Sequence, residues 1–261
     1  MINTETCATL LRSGYSVSTV ASYLENPKQA QNVLIMRHDV DRKPHCALLM
    51  AQVEHEFNIK STYYFRFNKK VFHPRLIREI AKMGHEIGYH YEVLDKAKGN
   101  HGRAIEIFKN ELDEFRKIAE VKTICMHGNP LTEWDNRDIW GKHDFNDFGL
   151  IGEAYLSFSD ITYLSDTGRT WRNKYKVKDW LPSATYAKIE KAGGPAISST
   201  DKLIELIKSV EIRLIYLLVH PERWSNSITE WTFEYLRDRV INFMKLGLQM
   251  RKHTKLLRRV H

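Results

Sequence analysis

The chain is poor in the features that mark specialised classes. It has only three cysteines, Cys7, Cys46 and Cys125, widely spaced and without a C-x-x-C pair, so a disulfide framework is not expected and they read as small buried hydrophobes in a reduced compartment. No apolar run approaches the roughly 20 residues that a membrane-spanning helix needs. The first residues, Met1 to Thr6, lack a basic region followed by an apolar stretch, which makes a cytoplasmic location the expectation. G-x-G-x-x-G is absent, leaving a nucleotide cofactor without support. There is no internal repeat or low-complexity tract.

What is present is ordinary for a globular protein. Hydrophobic residues make up 43% and charged residues 28% of the chain, which excludes disordered and fibrous classes without choosing an activity. Its 261 residues fit one α/β barrel of usual size, and one domain over residues 1–261 is the simpler expectation, with an N-terminal extension over 1–30 and a basic C-terminal helix over 229–261. The formal charge of +8 favours anionic partners. Much of that excess sits in Arg251, Lys252, Lys255, Arg258 and Arg259, with no acid among the last eleven residues. A solvated helix end explains this, and weak contact with an anionic membrane surface is the alternative. No nucleic-acid motif accompanies the charge, so nucleic acid is not an expected partner.

Short β-branched or aromatic runs alternate with stretches of helical period. Strands are expected at 33–36, 61–67, 86–90, 122–126 and 214–219, and extended segments at 150–157 and 161–164. Helices are expected at 44–57, 73–83, 103–119, 201–209 and 229–255, while 174–194 reads as irregular or helical surface. Strands separated by helices predict a parallel sheet, open or closed into a barrel.

The decisive pattern is positional. Strands ending near Met36, Tyr89, Met126, Leu164 and Val219 are followed closely by His38, Asp39 and Asp41; by His90 and Glu92; by His127; by Asp166; and by His220. In parallel α/β folds these strand ends share one rim, where active sites are built. Asp39-Val40-Asp41 projects two carboxylates from one side of an extended chain. Like charges that close repel unless a proton or cation intervenes, and the pair divides naturally into one metal ligand and one general base. His85 lies five residues before His90, on the opposite side of a strand, and reads as structural.

These residues carry a resemblance. Arg37-His38-Asp39-Val40-Asp41, Ser61-Thr62-Tyr63-Tyr64-Phe65, Gly84-His85-Glu86-Ile87-Gly88-Tyr89-His90 and Leu218-Val219-His220 resemble, in order, motifs of the polysaccharide deacetylases with a NodB-homology domain (carbohydrate esterase family four). The resemblance implies a distorted (β/α) barrel and hydrolysis of carbon-nitrogen amide bonds, as in N-deacetylation of a sugar or polysaccharide precursor. It implies Asp39 as general base, Asp41 and His90 as ligands of a divalent metal (zinc, with cobalt or nickel possible), and His220 as general acid. Asp166 resembles the aspartate that orients the acid, and Arg169 and Trp171 in the same stretch are expected on the substrate side.

Two departures stand out: Leu94 occupies the family's second histidine position, and His127-Gly128-Asn129-Pro130 replaces its arginine-x-proline motif. A third ligand is then expected, since catalytic zinc usually has three protein ligands: His127, whose imidazole suits zinc and whose strand end faces the rim, with Glu92 as the alternative. A metal-independent, allantoinase-like amidohydrolase and a non-catalytic saccharide-binding relative are the alternatives.

Overall fold

The computed structural model describes residues 4–27, 32–171, 176, 178–181, 197–224 and 227–257. Most of the 174–194 segment, and the last four residues of the basic tail, lie outside the described residues.

One parallel sheet organises the chain. Its strands are β1 (Ser16–Ser18), β2 (Val33–Val40), β3 (Thr62–Arg66), β4 (Glu86–Tyr91), β5 (Thr123–Met126), β6 (Gly152–Glu153), β7 (Thr162–Ser165) and β8 (Leu214–Val219). They run in the order β6-β5-β4-β3-β2-β8-β7, with β1 paired to β2. The helices are α1 (Thr4–Arg12), α2 (Val20–Glu25), α3 (Pro44–Glu56), α4 (Pro74–Lys82), α5 (Val93–Lys96), α6 (His101–Arg116), α7 (Thr200–Ser209) and α8 (Ile228–Leu257). Every described strand pair is parallel, so helical crossovers return the chain and all strand C-termini meet at one rim.

The sheet is a curled half-barrel. No described ladder joins β6 to β7, yet the hydroxyls of Tyr155, two residues past β6, and Tyr163 on β7 both donate to Asp179 Oδ1, at 3.0 and 2.5 Å. Side chains therefore bridge the two edges where backbone does not. The segment 150–157, expected to be extended, forms only the two-residue β6 before the chain turns. Glu153 explains this: its carboxylate accepts from the backbone N–H groups of Met126, Tyr155 and Leu156, winding the chain back on itself.

Local signals set the helix ends. Pro44 opens α3, where its missing N–H has no helical partner to lose. The side chains of Asn100 and Ser199 accept from backbone N–H groups in the first turns of α6 and α7. Gly84, at φ +88°, turns the chain from α4 into β4. The N-terminal segment adds α1, β1 and α2, and β1 lies in register against Val33 to Ile35.

Candidate active site

Strand β2 runs four residues past its expected end, so Asp39 lies within the ladder opposite Tyr64 and Asp41 follows directly. The period of two then sorts the motif. Arg37 and Asp39 share a face, joined by a salt bridge of 3.2 Å between Nη2 and Oδ2. His38 points the other way, bonding Glu54 Oε1 through Nε2 at 2.8 Å. Although it was among the expected rim residues, His38 is therefore part of the packing between β2 and α3. His85 sits in the same layer, its ring nitrogens facing Ala51 O and Ser61 N.

The structure brings Asp39, Asp41, His90, His127 and His220 to one small cavity of about 80 Å³, with Asp166 behind His220. Lys178, Asp179, Arg223 and Lys245 share its lining. His90 donates from Nδ1 to Cys125 O at 3.0 Å, which leaves Nε2 facing Asp41 Oδ1 at 3.4 Å and Asp39 Oδ2 at 3.8 Å. His127 Nε2 lies 3.6 Å from the same Asp41 Oδ1. That oxygen is buried and has no hydrogen-bond partner among the described residues. Burial would raise the Asp41 pKa, but His127 and His90 outweigh it and hold the carboxyl well below its usual range. Burial would likewise lower the His90 pKa, and Asp39 and Asp41 reverse this.

These residues suit a divalent metal. An imidazole lone pair and carboxylate lone pairs facing one another need a cation or proton between them. Two ligands each about 2.0–2.1 Å from a tetrahedral zinc lie roughly 3.4 Å apart, close to each Asp41–imidazole separation. Among the described residues, ligand atoms within 4.8 Å of one another group His90 with Asp39 and Cys125, and His127 with Glu92 and Asp95, so Asp41 is what links the two imidazoles. Glu92, the other candidate third ligand, stands behind His127, 3.3 Å from its Nδ1, and is paired with Arg66 Nη2 at 2.5 Å. Burial would raise the pKa of Glu92, but His127 and Arg66 bring it down to about 2. His127 Nδ1 is buried and makes no hydrogen bond among the described residues, so Glu92 acts on this imidazole through its charge. Leu94 is buried in the core at the start of α5 and offers no ligand atom.

No protein-family model matches the chain, and no curated protein matches it either. Solved structures do. The chain is similar to a family 4 carbohydrate esterase from Bacillus anthracis, at 13% identity over 95% of this chain and 86% of that one, with a TM-score of 0.40. A family 4 carbohydrate esterase from Bacillus subtilis gives 12%, 88%, 89% and 0.39 in the same terms. A pseudoenzyme of that family from Bacillus anthracis gives 11% identity over 85% of this chain and a TM-score of 0.43, and the chain spans 62% of its length. The functional reading rests on the side chains of the site itself.

On the opposite wall, His220 Nδ1 meets Asp166 Oδ1 at 2.6 Å, and its Nε2 points into the cavity, 3.9 Å from Asp41 Oδ2. Asp166 also accepts from the His220 backbone N–H, Arg223 Nη1 and Trp224 Nε1. Burial would raise the Asp166 pKa, but Arg223 and His220 draw it down to about 2. For His220, burial and Arg223 lower the pKa, and the carboxylates of Asp166 and Asp41 raise it overall. An Asp166→Asn variant removes one of those raising charges, so the His220 pKa should fall. If His220 is the acid, the alkaline limb of kcat/KM moves to lower pH, and an unmoved limb in a pH–rate profile would remove His220 from that role.

Two expected substrate-side residues lie elsewhere. Trp171 is buried in the hydrophobic cluster that also holds Leu203 and Leu206 of α7, its Nε1 3.4 Å from Thr200 Oγ1. Arg169 bonds Asp238 of α8 through Nε at 2.7 Å and the Arg223 carbonyl through Nη1. Neither lines the cavity of Asp39 and Asp41; both border a separate hollow beyond Asp166. The sequence reading in turn missed Arg37, Arg223 and Asp179. Arg37 had a signal, a charge two residues before Asp39 inside an apolar strand. Arg223 and Asp179 had none, because their partners come from distant strands.

Proposed function

We propose that the protein is a metal-dependent hydrolase of carbon-nitrogen amide bonds, an N-deacetylase of a sugar or glycan precursor. One observation carries the reading: the buried, unpartnered Asp41 Oδ1 faces two imidazole Nε2 atoms while a His220–Asp166 pair looks into the same cavity. A divalent metal held by Asp41, His90 and His127, with zinc first and cobalt or nickel as alternatives, would supply Lewis acidity that activates water and polarises the acyl carbonyl.

The remaining chemistry belongs to the chain. Asp39, held by Arg37, is placed to take the proton of the attacking water as its oxygen adds to the acyl carbon. As the carbon-nitrogen bond breaks, His220 protonates the departing nitrogen from Nε2, while Asp166 holds the ring and stabilises its cationic form. Both proton carriers are needed, because an amide nitrogen leaves poorly unless it is protonated. The products are a carboxylate and a free amine.

The test is a panel of N-acetylated amino sugars and sugar nucleotides incubated with metal-replete protein. Acetate should appear in step with free amine from at least one member, and His220→Ala should abolish it. Silence across the panel from folded, metal-loaded protein would overturn the deacetylase reading.

A further inference from the structure

Helix α8 presents its faces in reverse. A surface helix ordinarily turns its apolar stripe to the core and its charges to water. Here the inward stripe is Glu234, Asp238 and Asn242. Glu234 pairs with Arg42 at 3.2 Å and Lys43 at 3.4 Å, Asp238 pairs with Arg42 and Arg169, and Asn242 donates to Gly168 O at 2.9 Å. These partners belong to the rim loops that carry Asp41 and Asp166. The helix thus lies over the mouth of the site, with Lys245 of the same stripe lining the cavity.

The outward face is apolar. Phe233, Leu236, Val240 and Phe243 are 65, 58, 61 and 78% exposed, and Met244 joins them at 44%. At about 100° per residue these five fall within an arc of roughly 100° centred opposite the ionic stripe. Contiguous apolar surface of this kind marks a docking site. Ion pairs hold the inner stripe down, so rotating the helix to bury the arc would break all of them.

We infer that this arc docks on an anionic lipid bilayer. Charge selects that occupant. From Arg239 onward the sequence has seven Lys and Arg and no Asp or Glu, and the whole chain carries +8. A second copy would bring a like-charged face against this one, whereas anionic headgroups neutralise it and the acyl region takes the aromatic and aliphatic side chains. Arg237 and Arg239 flank the arc on its two sides, where long basic side chains can reach headgroups while their stems lie on apolar surface. Because a helix is about 10–12 Å across, docking sets the rim of the site one helix diameter from the lipid.

Cosedimentation of the full chain with vesicles of equimolar phosphatidylcholine and phosphatidylglycerol tests this. Wild type should bind, and should bind pure phosphatidylcholine at least about tenfold more weakly. The double variant Val240→Gln with Phe243→Gln keeps a good helix former at each exposed position and should lower partitioning by at least about tenfold at unchanged helix content. An independent pair, Phe233→Gln with Leu236→Gln, covers misfolding of the first. No binding by wild type, or binding that both pairs leave intact, overturns the inference. So does a dimer in sedimentation equilibrium that either pair dissolves, since the arc would then meet a second copy.

Discussion

In Asp39→Asn, kcat/KM for amide hydrolysis is expected to fall by about 10²–10⁴, the range that a positioned general base contributes. The asparagine is nearly isosteric and can still accept from Arg37 Nη2, but it cannot take a proton. A second effect accompanies the first. Arg37 is fully buried, and besides Asp39 it has the Tyr216 and Tyr163 hydroxyls, the Ala154 carbonyl and the face of the Tyr155 ring, 4.3 Å from its guanidinium carbon. Burial alone would lower its pKa; Asp39 is the leading influence that instead holds it well above the usual range. Removing one member of a buried ion pair typically costs about 3–5 kcal/mol, and the remaining polar partners place this case toward the lower end. Urea unfolding measures the stability loss and initial rates on the folded fraction measure the chemistry. Full activity in that fraction would reduce Asp39 to the counter-ion of Arg37.

In Asp41→Ala, the metal content of freshly purified protein should drop from stoichiometric to trace, and activity with it. Asp41 is the residue to which both Nε2 atoms point, so its loss leaves His90 and His127 without the anion between them. His220→Ala provides the contrast: it should abolish turnover while metal content stays stoichiometric, because His220 faces Asp41 Oδ2 and Asp166 rather than the oxygen shared by the two imidazoles. Elemental analysis of the two variants side by side decides this. Equal metal loss in both, or metal retained in Asp41→Ala, would remove Asp41 as the central ligand.

Much of the rim was legible because it depends on short-range periodicity. Alternation along β2 separates His38 from Asp39 over a single residue, and the ladder that sets His90 opposite Cys125 brings His127, two residues further on, toward the same cavity. The third-ligand question was harder. Sequence position left both His127 and Glu92 in play, with ligand chemistry favouring His127, and the packing of β4 against β5 sets that imidazole facing Asp41 with the carboxylate behind it. Arg169 and Trp171 follow Asp166 closely in sequence, but the turn at Gly168 and Arg169, both at positive φ, sends them toward α7 and α8.

Helix α8 shows where periodicity stops. Its apolar arc is evident from Phe233, Leu236, Val240 and Phe243 alone, and by the ordinary rule that arc would face the core. The outward orientation comes from Arg42, Lys43 and Arg169, whose guanidinium and ammonium groups sit on rim loops and hold Glu234 and Asp238 beneath the helix. Sequence by itself determined the alternation of the main strands and helices from residue 33 to residue 126, the strand at 214–219 and which residues share a face, since these follow from backbone repeats of two and 3.6 residues, whereas α1, β1, α2 and α5 were not read from it. The tertiary structure decided which faces meet and which imidazoles share a carboxylate oxygen, because those contacts join residues far apart in the chain and depend on strand register and helix docking.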